Sequence, residues 1–157
     1  MYKILPIILI LSFSSNVFSD KTSYKNLVDK TNNTNERIAV CIPVYVEMGA
    51  FYEYVLIKQL KESNSKWKKT ANMLRNNLSR EFFALDLIEG NSSLENLKDS
   101  ALDESSGVRL IKEKSTGSKC FKSINKIIKK KKYSRLFDKA DNDAIQIINN
   151  IIKENKK

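Results

Sequence analysis

The sequence predicts an all-α protein: a small helical bundle of about five helices tied by one disulfide, after an N-terminal signal peptide. Three observations carry that expectation. Apolar side chains recur at three- and four-residue intervals over much of the chain, the mark of helices that bury one face. Gly and Pro are scarce, at 4 and 2 in 157 residues, too few for the turns of a many-stranded barrel or sandwich. Cys41 and Cys120 are the only cysteines, and in an exported chain they pair most simply with each other; two buried free thiols are the alternative. With 41% hydrophobic and 29% charged residues, the chain has material for one globular core.

Residues 1–19 read as a signal peptide. Lys3 supplies the positive charge, residues 4–13 an apolar core, and Val17, Phe18 and Ser19 a cleavage site before Asp20. Spanning a bilayer takes about 20 mainly apolar residues, and Ser12, Ser14, Ser15 and Asn16 interrupt this run too soon for an uncleaved anchor. A lipoprotein would need a cysteine just after the apolar core, and the first is Cys41. The expected location is therefore periplasmic or extracellular, with no transmembrane span in the mature chain.

Residues 20–35 are polar and Asn-rich, with Tyr24, Leu27 and Val28 to bury, and read as a loose leader with one weak turn. A single helical domain is expected over residues 36–157. Asn33 with Glu36 resembles a helix start. Ile38, Val40, Ile42, Val44 and Val46 then alternate like a strand, but the other face is apolar too, and Pro43 disfavours a helix interior and a central strand alike. A long kinked helix over about 36–62 is the favoured reading, with Phe51, Tyr54, Val55 and Leu60 on one face; strand-then-helix is the other.

Trp67, Ala71, Leu74, Leu78, Phe82, Leu85 and Ile88 form an unbroken stripe that predicts a helix over 66–89, capped by Ser65 and closed at Gly90. Core packing is the expected role of Trp67. A short helix follows over 92–104, burying Leu94, Leu97, Ala101 and Leu102; Val108, Leu110 and Ile111 make an apolar turn, and residues 115–118 a loop. Ser118 opens a helix running to about Tyr133 with Cys120, Phe121, Ile124, Ile127 and Ile128 inside. Asp141 caps the last helix, whose stripe is Ala144, Ile145, Ile148, Ile151 and Ile152.

Charge is unevenly placed. Residues 20–110 hold 13 basic and 13 acidic side chains, whereas residues 111–157 hold 14 and 5, so the excess lies in a basic C-terminal third. It centres on Lys126, Lys129, Lys130, Lys131, Lys132 and Arg135, the candidate anion-binding residues. Three explanations compete: an anionic partner such as lipid headgroups or envelope polymer; internal pairing with the acids of residues 81–104; and an A/T-rich genome, since Lys outnumbers Arg 23 to 5. Nucleic acid fits least, because export removes it and no aromatic stacking platform accompanies the lysines.

Chemistry is thinly signalled. With His at 0, the Ser-His-Asp triad, the Cys-His dyad and His-based metal sites are excluded. There is no calcium loop, haem-attachment motif or phosphate-binding glycine loop, so neither metal nor cofactor is expected. Glu47 and Glu53 lie in the apolar run beside Tyr45, Tyr52 and Tyr54. A buried carboxyl has a raised pKa and can act as a general acid, but positions six apart diverge by about 120° on a helix. The expectation is an exported, non-enzymatic binding or structural protein at an anionic envelope surface. The alternatives are a cell-wall glycan hydrolase using Glu47 or Glu53, and an inhibitor or assembly partner of another exported protein docking through residues 81–104.

Overall fold

A computed structural model describes residues 21–156; the expected signal peptide lies outside them. Among the described residues there is no strand, and seven α-helices run in order: α1 Lys21–Lys30, α2 Thr34–Val40, α3 Ile42–Lys61, α4 Trp67–Ile88, α5 Ser92–Ser105, α6 Lys114–Ile128 and α7 Ser134–Asn155. Single 3-10 turns occur at Leu110–Lys112 and Lys131–Tyr133. The all-α expectation holds, with seven helices in place of about five.

The first correction is the leader. Residues 21–30 form α1, which lays Tyr24 and Val28, one turn apart, into the core at 1% and 0% exposure. The Tyr24 hydroxyl donates to the Val40 carbonyl at 2.7 Å, and Arg37 Nε donates to the Thr31 carbonyl at 2.9 Å just past the end of α1. Two anchoring side chains are invisible against a background of Asn, Lys and Thr, yet they dock the helix once a cavity exists to receive them.

The run over 36–62 is helical and kinked, as favoured. Asn33 Oδ1 accepts from the Asn35 and Glu36 amides and starts α2. The chain then breaks at Cys41, and α2 and α3 meet at a 46° bend. Pro43, in the first turn of α3, has no N–H for the carbonyl of Ala39 and its ring crowds that oxygen, so the break falls just before it. The expected inner face of α3 holds only in part. Of that face Leu60 is buried as expected, but Phe51 and Tyr54 are 46% and 67% exposed, and Tyr45, Gly49 and Leu56 are buried instead. A helix apolar nearly all round has no single face that spacing can select.

α4 matches its expected limits, although Asn64, not Ser65, accepts the Lys66 amide at 3.0 Å. Gly90 takes a left-handed φ of 75° as the chain leaves the helix. Because α4 packs against both α3 and α7, its buried set widens to include Thr70, Asn77, Phe83 and Ala84, and Leu85 is left exposed. α5 follows expectation except that Leu102 is exposed.

Three limits near the C-terminus also move. Residues 115–118 are helix, not loop: Thr116, Cys120, Ser123, Ile124 and Ile127 form one buried stripe that carries α6 through Gly117 despite its poor propensity. α6 ends at Ile128, and the 3-10 turn lets Tyr133 and Phe137 both meet the Phe83 ring, at 5.9 and 6.0 Å. α7 therefore starts at Ser134, and Asp141 lies inside it instead of capping it. Two buried clusters result. The larger gathers α1, α2, the start of α3, the end of α4, α5, α6 and Ala140 of α7; the smaller joins Leu56 and Leu60 to Ala71, Leu74, Ile148 and Ile151.

Candidate functional site

Lys126 sits in the last turn of α6, Lys129 to Lys132 in the connection, and Arg135 in the first turn of α7, all exposed. They crowd one corner because that connection is only five residues long. None joins an ion pair among the described residues. Lys132 Nζ lies 4.6 Å from the Tyr133 ring centroid, a cation–π contact that holds one ammonium near the surface. The C-terminal dipole of α6 welcomes Lys126 and Lys129, but α7 has no acid in its first turn, so its positive end adds to Lys131, Lys132 and Arg135. Among the acids of residues 81–104, Asp86 meets Lys139 at 2.8 Å, and Asp99 meets its neighbour Lys98 at 3.0 Å.

Cys41 and Cys120 are bonded, with Cα atoms 5.5 Å apart and both residues fully buried. The bridge ties the α2–α3 bend to α6, the penultimate helix. Tyr45, one turn beyond Cys41, donates its hydroxyl to the Cys120 carbonyl at 2.9 Å. Burial holds the Tyr24 and Tyr45 phenols well above their ordinary range, with the Glu47 charge a lesser cause for Tyr24 and the Tyr24 charge for Tyr45.

The two carboxylates singled out in sequence do not converge. Glu47 Oε2 accepts the Leu110 amide at 2.7 Å and anchors the 3-10 turn to α3, while Glu53 is exposed. A third carboxyl stands out, that of Glu81, which the sequence singles out only as one of the acids of residues 81–104. It faces α3 at Gly49, where an added Cβ would stand 3.2 Å from both Glu81 Oε2 and Asn77 Nδ2. Burial, then the charge of Glu53, pushes the Glu81 carboxyl up to about 7. Asn77 donates to the Tyr45 carbonyl at 2.6 Å, and its own buried oxygen has no partner among the described residues. The only sequence hint was an acid one turn after Asn77 on a strongly amphipathic helix; that a glycine stands opposite is tertiary information.

Asp141 is gripped by Arg75 through Nε at 2.9 Å and a terminal nitrogen at 2.5 Å, and accepts the Ser79 hydroxyl at 2.8 Å. Arg75, followed by Ser79, holds the Asp141 carboxyl below its ordinary range. Trp67 is half-buried: it packs against the smaller core cluster, as expected, and stands at the edge of a groove between α4 and α7. Among the described residues no group of three or more acids or cysteines is placed to hold a metal, and no single helix is long and apolar enough to cross a membrane. No protein-family model, curated protein or solved structure matches this chain, so the reading of the site rests on its own geometry.

Proposed function

We propose that the protein is an exported, non-enzymatic helical module that holds anionic envelope surfaces through the corner formed by Lys126, Lys129 to Lys132 and Arg135. One observation carries this reading: four exposed cations fill a five-residue connection and two more, Lys126 and Arg135, flank it at the end of α6 and the acid-free start of α7. Cations at a helix start cost a few tenths of a kcal/mol each, and an anionic partner reverses that cost. Against the internal-pairing explanation, Asp86 pairs with Lys139, which lies outside the corner. As an enzyme the chain has less to offer, because Glu47 is engaged by the Leu110 amide.

The test is sedimentation with anionic and neutral vesicles across a salt series. Binding to anionic vesicles at low salt that weakens as screening shortens is expected. Reversing Lys129 to Lys132 to Glu removes it, each lysine near a charged surface being worth about 1 kcal/mol. Equal indifference to both vesicles refutes the reading. Lost producer-cell phenotype in Glu47→Gln or Glu53→Gln, with vesicle binding intact, would favour the hydrolase instead.

A further inference from the structure

The groove between the first half of α4 and the second half of α7 joins an apolar floor to a cationic rim. Ala71, Ile145, Ile148 and Ile152 form the floor, Trp67 stands as a wall, and the space amounts to about 360 Å³. The ammonium of Lys156 lies 5.1 Å from the Trp67 ring centroid and that of Lys68 5.9 Å from it. Both lysines are exposed, and neither joins an ion pair among the described residues. Arg75, also on the rim, is already neutralised by Asp141. Two uncompensated positive charges therefore border an apolar trough.

We infer that this groove binds a single-chain anionic amphiphile, its alkyl tail on the isoleucine floor against Trp67 and its carboxylate between Lys68 and Lys156. The volume sits near the lower end of small-molecule sites, roughly 300 to 1,000 Å³, which suits one chain and not a two-chain lipid. The same helix pair supplies an internal comparison. A second groove of about 440 Å³, with Phe82, Leu85 and Ile147 as its apolar lining, carries Asp143 and an Asp86 already paired with Lys139, and no Lys or Arg lines it. Apolar surface is available in both grooves, so charge directs an anionic chain to the one at Trp67. This site is separate from the basic corner: Arg135 and Ile152 are 17 helical residues apart in α7, about 25 Å at 1.5 Å per residue.

Trp67 is the only tryptophan, so its fluorescence reads this groove directly. The protein is titrated with decanoate below its micelle-forming concentration, with decyltrimethylammonium, and with acetate as an anion lacking a tail. Decanoate should give a saturable blue shift, acetate none, and the cationic amphiphile an affinity at least tenfold weaker. The double variant Lys68→Glu, Lys156→Glu should weaken decanoate at least tenfold and strengthen the cation. Asn149→Phe, which fills the groove from an exposed position on its lining, should abolish both with the lysines intact. Charge reversal of Lys129 to Lys132 should leave the titration unchanged. Equal affinity for the two amphiphiles, a response that never saturates, or undiminished decanoate binding in the folded Lys68→Glu, Lys156→Glu protein overturns the inference.

Discussion

Replacing Glu81 by Gln should stabilise the protein at neutral and alkaline pH while leaving it unchanged in acid. The folded carboxyl titrates at about 7 against an ordinary 4.5, because it is buried against α3 and repelled by Glu53. Between those values the folded protein keeps a proton that the unfolded chain has lost, so stability falls as pH rises through the window. Below 4.5 both states are protonated and the group contributes nothing; above 7 both are ionised and the penalty is constant. Its full size is about 3 kcal/mol at 1.36 kcal/mol per pH unit of displacement. Gln keeps the shape and cannot ionise. The difference between Glu81→Gln and wild type should therefore grow from zero near pH 4 to about 3 kcal/mol above pH 8. Asp29 and Asp141, whose carboxyls are held low by Lys119 and by Arg75, lose their stabilising contribution only as pH falls through their lowered values, and they act alike in both proteins. Urea unfolding followed by far-UV circular dichroism across that range measures the difference. A gap that does not change with pH, or that widens toward acid, refutes the account of Glu81.

Two further outcomes test the architecture. Replacing both Cys41 and Cys120 by Ala opens a loop whose ends are 79 residues apart; the chain-entropy relation puts the loss near 4.5 kcal/mol, read as a lowered denaturant midpoint matched by wild type under reductant. Tyr24→Ala should cost about 3 to 5 kcal/mol, as for a buried aromatic, and Tyr24→Phe about 1 kcal/mol for the lost hydrogen bond to Val40; Tyr24→Ala with wild-type stability would return residues 20–35 to the status of a leader.

Helical class and the limits of α4 were legible in the sequence through local spacing; the kink near Pro43 and the Cys41–Cys120 pairing were each the favoured of two readings, resting on a missing N–H and a count of two. α1 was not: its helix rests on Tyr24 and Val28 finding a pocket lined by residues far along the chain. Nor was α6, where a buried stripe beginning at Thr116 overrides the glycine and serines that locally favour a loop. Asp141 looked like a cap because the sequence cannot say that Arg75 and Ser79 stand across from it.

The sequence by itself determined that this chain is helical, that one face of α4 must be buried and that its excess charge is confined to the C-terminal third. Periodicity and composition are properties of a segment, and a segment carries them into any fold. Only the tertiary structure decided which side of the apolar α3 meets α4, that Phe51 and Tyr54 face solvent, and that Glu81 stands against Gly49 with its carboxyl pushed up. It also decided that Trp67 borders a groove with Lys68 and Lys156. Those outcomes depend on which helix lies across from which, and burial, pairing and pKa belong to that juxtaposition.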